Sequence, residues 1–589
     1  MAAVPYFYGY EVLTRVPDRS LPHLWALSVR GTFVTNGPFH EIIHSWPCYY
    51  VYTYVVLRMR RRQRGGTVAI LEDHSSEVAP NHLIDPVDVA IRTRAPHEPP
   101  PERFGATDPR RGRDLAKSPL VTRLLKDRRF QFLLILPNQI IFWLVIVVGL
   151  VGTVVPGLNF ATAITWYLWF CLVFVMMVGV GRAWCAMCPF GGFGEWLQRR
   201  SFFQRRHVSL GLGLKMPEKV VQYGFLLSVG SFLILTWIEE YFNIAGPGNP
   251  MATSFMVIGI VATATIFFLT FERRTFCRYV CPLSALIGSV GAMGSVAGFR
   301  TRDREVCQSC TTKDCMRGDA EGYGCPWYTW PGSADSNAAC GLCTECFKAC
   351  PSDNIGLYVQ APMTSVVAPT RRRADIAWAV ALLFGLVLYQ QLNALTMFSQ
   401  LDAWLNTHTG FPQYPNPIDY LGIIILVAVA LGALGRLFSA VFARADFVPA
   451  PGGTAFVDRT SRFRSYFVPL MYAIIPVVGA DYFARQLPKF LQHFPRVLVS
   501  MGHLVGVGST SSGLYNASIM ASNRGIIAVQ IGVMVLGTLA GVWTTWRIAS
   551  RELAPVSRAP MLTRLSAVTL TLGLGVLVSV LYVLMNAAD

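Results

Sequence analysis

The stretch Cys307–Pro351 decides how the rest of the chain is read. It opens Cys307-Gln308-Ser309-Cys310, continues to Cys315 and then to Cys325-Pro326. After a spacer comes Cys340-Gly341-Leu342-Cys343-Thr344-Glu345-Cys346-Phe347-Lys348-Ala349-Cys350-Pro351. The later run separates its cysteines by two, two and three residues before a Cys-Pro pair, the earlier run by two, four and nine. Three closely spaced thiolates with a fourth before proline form the ligand set of an iron–sulfur cube, and where two runs occur together each fourth cysteine serves the other cube. Crosswise assignment puts Cys307, Cys310, Cys315 and Cys350 on one 4Fe-4S cluster, and Cys340, Cys343, Cys346 and Cys325 on the other.

The later run matches the bacterial ferredoxin pattern residue for residue, and the earlier one is the same pattern stretched before Cys325. Paired Cys-x2-Cys units also build tetrahedral zinc sites, but those rarely add a Cys-Pro ligand after a run of three. A disulfide framework does not suit thiols held in a reducing compartment, where the topology below places them. The segment is polar and glycine-rich, so bound metal is expected to supply its folding energy, and loss of any one of the eight cysteines to cost a cluster.

With 589 residues, 53% of them hydrophobic, only 14% charged and a mean hydropathy of +0.41, the chain reads as an integral membrane protein. The net charge of +17 follows from arginines beside apolar runs, as the positive-inside rule requires, so no nucleic-acid partner is expected. The first apolar residues are interrupted by Glu11, Arg15, Asp18 and Arg19, which argues against a cleaved signal peptide. Of the fourteen cysteines, eight lie in the opening stretch and four in a second set, while Cys48 and Cys171 read as small buried apolar residues.

Residues 1–131 offer no uninterrupted apolar run long enough to cross a bilayer. Trp46 to Leu57 is short and aromatic and runs into Arg58, Arg60, Arg61, Arg62 and Arg64, which suggests an interfacial segment. Ala79 to Arg113 is rich in proline and charge and reads as a linker or partner-binding arm. His74, His82 and His97 lack ligand spacing there. Spans are expected at about Phe132–Val155, Ala161–Val180, Val220–Trp237 and Met251–Phe271. The second ends in Arg182-Ala183-Trp184-Cys185-Ala186-Met187-Cys188-Pro189, and the fourth in Arg274-Thr275-Phe276-Cys277-Arg278-Tyr279-Val280-Cys281-Pro282.

Two helical hairpins thus bring a cysteine pair and a proline to the same membrane face, which is an internal repeat. Cys185, Cys188, Cys277 and Cys281 together can hold a third iron–sulfur centre or another metal, with Arg182, Arg274 and Arg278 compensating the thiolate charge. Each pair can instead cap a helix or act as a redox dithiol. Leu283 to Phe299 is read as an amphipathic connector that does not cross, so both cysteine sets share one side.

Five further spans are expected at Ile376–Leu395, Tyr420–Phe442, Phe467–Arg485, Ile526–Trp546 and Leu562–Met585. Leu487 to Asn516, holding His493 and His503, reads as an outer loop or half-buried helix; with only His408 elsewhere in this half, a haem site has little support. Glu239 and Glu240 stand at the outer end of the third span. The fold class is therefore mainly α: a polytopic bundle of about nine spans with an inserted double-cluster ferredoxin domain. Expected domains are an arm over 1–131, a four-helix membrane domain over 132–300, the ferredoxin domain over 301–369 and a five-span domain over 370–589. No nucleophile–base pair, phosphate loop or dinucleotide fingerprint stands out, which leaves electron transfer as the available chemistry.

A pair of membrane hairpins ending in Cys-x2-3-Cys-Pro, followed by a double-cluster ferredoxin segment, resembles the NapH/NosR/CcoG group of membrane-bound polyferredoxins. The resemblance covers about residues 130–360. The chain departs from that pattern in the x2 spacing of Cys185 and Cys188, the stretch before Cys325, and the added C-terminal spans. What the resemblance implies is a multi-pass protein of the bacterial inner membrane, with its ferredoxin domain and N-terminus cytoplasmic. It would relay single electrons between a quinol pool or a soluble donor and a redox partner protein or membrane complex, as a quinol dehydrogenase subunit with a bound quinone would. The CcoG branch implies an alternative role in reducing copper during oxidase assembly, and the N-terminal arm and extra spans a docking role in a respiratory or photosynthetic complex.

Overall fold

Apolar runs of about twenty residues form helices in lipid because every backbone polar group must find its partner within the segment. A computed structural model describes residues 112–587 except 200–210, 218–219, 222, 245–248, 320, 370–371, 412–413 and 445–460. The expected interfacial segment Trp46–Leu57, most of the arm and Cys48 lie outside the described residues. Among the described residues nine helices are long and apolar enough to span: Arg128–Val151, Phe160–Gln198, Gly224–Tyr241, Pro250–Thr270, Ala374–Leu392, Pro417–Phe442, Arg462–Leu504, Asn523–Val556 and Pro560–Leu584. The fold is the mainly helical membrane bundle with a 4Fe-4S binding domain that the hydropathy pattern and cysteines indicate.

In the fifth and seventh helices, 78% and 89% of the most apolar stretch is buried, against 28–39% in the other seven. These two form the centre. The rest turn Leu, Ile and Val side chains outward, as Leu133, Ile140 and Val147 do on the first helix. The seventh continues well past Arg485, so Leu487 to Leu504 is helix rather than loop. His493 packs on the Tyr167 ring at 4.9 Å and His503 Nδ1 meets the Gly508 carbonyl at 2.9 Å, so the two histidines have separate partners.

Both cysteine hairpins return in the same way. The second helix breaks at Gly181, whose φ of +67° is open to glycine, passes through the turn Trp184–Met187, and restarts at Pro189. The fourth helix ends at Thr270; the chain reverses at Arg273 (φ +54°), forms the turn Phe276–Val280, and restarts at Pro282. Proline opens each new helix, where its missing N–H costs nothing. The preceding cysteines have nearly the same backbone, φ −63°, ψ 126° at Cys188 and φ −52°, ψ 121° at Cys281.

Leu283–Phe299 holds no helix among those long enough to span, and it is buried rather than an amphipathic surface segment. Pro282–Val290 is a short helix with Ser284–Val290 buried throughout, followed by strand β2, Val296–Thr301. The segment 296–359, which carries the Cys307–Pro351 stretch, therefore sits at the same end of the bundle as the cysteine hairpins. Its antiparallel sheet has the order β1–β3–β2, with β1 Arg113–Asp114 and β3 Ile355–Val359. β1 lies inside the expected arm: its pairing with β3, and the 3.0 Å ion pair of Asp114 with Arg302, draw the residues just before the first span into the ferredoxin unit. The sheet is also anchored on the bundle, since the Ser295 N–H donates to the Gly179 carbonyl (2.9 Å) and Asn337 Nδ2 to those of Gly291 and Val296 (both 2.9 Å).

Candidate iron–sulfur relay at one end of the bundle

The twelve cysteines singled out by spacing gather in three adjoining sets. Cys277 has Cys281, Cys188 and Cys185 as electrostatic neighbours. Cys346 has Cys325, Cys343, Cys340 and Cys315, whereas Cys315 has Cys307, Cys325, Cys350 and Cys310. The first two sets share one buried patch, in which Cys277, Cys325, Cys343, Phe268, Phe276 and Trp327 pack together with Cys185 and Cys281 at the margin. Cys307, Cys315 and Cys346 share the next patch with Phe299, Phe347 and Trp330. The set with Cys325, Cys340, Cys343 and Cys346 thus lies between the membrane-edge four and the outermost set, and in that outermost set Cys310 is half-buried.

Each of the four Cys-Pro cysteines is cradled by the chain that follows it. Phe190 and Gly191 direct N–H groups at Cys188, Leu283 at Cys281, Trp327 and Thr329 at Cys325, and Ser352 and Asn354 at Cys350. The bonds from Thr329 and Asn354 are 3.3 Å each. Hydrogen bonds of this kind favour thiolate over thiol and stabilise a sulfur that carries charge.

Burial acts in the other direction. It pushes the Cys281 thiol up to about 12 and raises Cys277, Cys315, Cys325, Cys343, Cys346 and Cys350, with neighbouring cysteines adding to the rise at most of them. So many buried thiols are stable as thiolates only beside compensating positive charge, and metal binding must release their protons. All thirteen cysteines among the described residues are free. Among the same residues, no three His, Cys, Asp or Glu side chains are placed to hold a single metal ion.

Orphaned donors give an independent test of fit. Arg182 Nε, Arg274 Nη2, Arg300 Nη1, Trp327 Nε1 and Thr344 Oγ1 are buried donors with no acceptor in the protein. Arg274 has Cys277 and Cys343 as electrostatic neighbours, Arg300 has Cys340, and Arg182 has Cys281. Buried donors rarely go unpaired, and sulfur carrying negative charge is the acceptor this place lacks. The residues fit iron–sulfur clusters.

A family model described as a 4Fe-4S binding domain matches residues 162–208 and 253–295. The match supports an iron–sulfur, ferredoxin-type protein. It falls on the two hairpins that carry Cys185, Cys188, Cys277 and Cys281, outside the Cys307–Pro351 stretch. No curated protein and no solved structure matches the chain.

Several residues of the site carry no sequence signal. Glu195 is buried and binds Arg274 at 2.6 Å, while Arg274 Nη1 donates to the Cys185 carbonyl at 2.7 Å. Burial works against the Arg274 charge, but Glu195 and the nearby thiols outweigh it and hold the guanidinium ionised. Asn354 Nδ2 donates to Thr301 Oγ1 (3.0 Å), to the Asp303 carbonyl (2.6 Å) and to Cys307 Sγ (3.5 Å). Arg182 and Arg278, which the sequence does mark by their place beside the cysteines, donate to the Ala338 and Trp327 carbonyls.

Glu239 and Glu240 stand apart from this site. Glu240 Oε1 accepts from Gln390 Nε2 at 2.7 Å, and Lys489 and Arg485 are electrostatic neighbours of Glu239. Both side chains are half-buried in the bundle. At 1.5 Å per residue, roughly 24 Å of helix separates it from Gly224, at the cysteine end. Gln391, Arg485, Gln492 and Tyr582 line a cavity of about 290 Å³ towards the same far end.

Proposed function

We propose that the chain is a membrane-bound iron–sulfur electron relay of three centres in series. The observation that carries this reading is the contiguity of the three cysteine sets through two buried patches, one joining the membrane-edge and middle sets and the other the middle and outer sets. Cys185, Cys188, Cys277 and Cys281 would hold the membrane-edge centre. Cys325, Cys340, Cys343 and Cys346 would hold the middle 4Fe-4S cluster, and Cys307, Cys310, Cys315 and Cys350 the outer one. Clusters held there take up and give back single electrons. The protein's part is electrostatic: Arg182, Arg274, Arg278 and the orphaned N–H groups stabilise the extra negative charge of the reduced state and so raise its potential. Buried aromatic and aliphatic side chains keep water from the two inner sites.

In this reading the chain sits in the bacterial inner membrane with its cysteine end cytoplasmic. The arginines support that orientation, since Arg128, Arg273, Arg372, Arg444, Arg462, Arg551 and Arg558 all lie at the cysteine end of their helices. The donor is a quinol pool or a soluble reductant, and the half-buried Cys310 marks the side facing a redox partner, as the likeness to the NapH/NosR/CcoG group implies. Glu239 and Glu240 stand too far from the cysteines to belong to this path without a further carrier.

Potentiometric titration of the full-length protein followed by EPR tests the relay. Three separable one-electron signals are expected, and C185S and C277S should each abolish the same one. Loss of no signal in either variant would remove the third centre, and absence of any reducible signal would remove the relay.

A further inference from the structure

Trp327 occupies the junction between the membrane-edge set and the middle set. It follows the Cys325-Pro326 pair, is 2% exposed, and is the largest fully buried side chain among the described residues. The Arg182 guanidinium lies 4.4 Å from its ring centroid and that of Arg274 lies 6.0 Å away. Its backbone N–H points at Cys325 Sγ, and its backbone carbonyl accepts from Arg278. The ring edge faces the loop of the middle set so closely that a Cβ on Gly341 would come within 2.1 Å of Nε1. Gly341 stands between Cys340 and Cys343, and Nε1 has no acceptor among the protein's atoms.

From this geometry we infer that the indole N–H of Trp327 is a hydrogen-bond donor to a sulfur of the middle cluster and holds that cluster's potential above that of the same ligand set without it. The assignment rests on the iron–sulfur reading proposed above. A buried indole N–H normally finds a partner, and this one faces Gly341, between Cys340 and Cys343, in the buried patch that Trp327 shares with Cys325 and Cys343. Donation to cluster sulfur favours the more negative, reduced form. The guanidinium groups against the ring fix its place and are themselves anchored on the hairpins: Arg274 donates to the Cys185 carbonyl and Arg182 to Ser284 Oγ. Trp327 therefore ties the middle cluster's potential to the fold of the membrane edge. Gly341 is glycine because any side chain there would displace the indole.

The test compares W327F, which keeps an apolar ring but loses the donor, with W327H, which keeps a ring N–H. Iron and acid-labile sulfide are measured in the full-length holoprotein, and each potential is read by EPR titration. With iron unchanged, W327F should shift the middle cluster alone to lower potential, and W327H should recover part of the shift. A W327F protein with full iron and all potentials unmoved would overturn the inference while leaving the relay intact. Should W327F shed iron, retention by W327H supports the donor, and equal loss from both overturns it by showing that ring volume is what matters. A wild-type protein without iron would instead defeat the relay itself.

Discussion

The Glu195–Arg274 pair is where burial and charge meet most sharply. Both side chains are almost fully enclosed, at 2% and 1% exposure, and the arginine reaches the Cys185 carbonyl as well. An isolated charge at such a position is far more costly than a paired one. E195Q is therefore expected to destabilise the protein by roughly 3–5 kcal/mol, as measured by thermal or denaturant unfolding in detergent. The double variant E195Q/R274M, which removes both charges, should lose markedly less. Equal losses in the two proteins would mean that the pair acts only through packing. Arg274 could be picked from the sequence by its place beside Cys277, but Glu195, Trp327 and Asn354 could not, because each acquires its role only from partners distant along the chain. Glu195 and Arg274 lie 79 residues apart. The cysteines differed: their spacing is local, and the geometry of a cluster is written into it.

At the scale of elements, the hairpin returns carry the membrane-edge site, and the second helix depends on Gly181. Its φ of +67° disfavours any other residue, and a Cβ there would lie 2.8 Å from Asn337 Nδ2 and 3.1 Å from the Gly291 carbonyl. G181A should misplace Cys185 and Cys188 while sparing the ferredoxin unit, so iron per chain is expected to fall from about twelve to about eight. Iron retained in full would mean that the edge centre does not depend on this turn. The spans were legible because length and apolarity define them. The seventh was underestimated because Arg485, Lys489, Gln492 and His493 interrupt its apolar pattern; as a central helix it can keep them among protein neighbours. Strand β1 could not be read at all, since two residues have no periodicity and their pairing with Tyr358 and Val359 is set by the fold.

For the molecule as a whole, a lipid-stabilised bundle supports a small sheet-bearing unit with little apolar core of its own. That division predicts unequal responses to losing iron. Chelation under oxidising conditions should open residues 301–360 to limited proteolysis while the spans keep their helical circular dichroism, because metal supplies the folding energy of the former and lipid burial that of the latter. Simultaneous melting of both would show that the clusters hold the bundle together as well.

The central claim is that three sets of four thiolates hold iron–sulfur clusters in a row, and the most direct measurement is the metal content of the intact chain. Full-length protein purified anaerobically in mild detergent, assayed for iron and acid-labile sulfide, is expected to carry about twelve of each per chain. About eight would confine the clusters to the ferredoxin unit, and zinc in place of iron, or a colourless metal-free protein, would contradict the account.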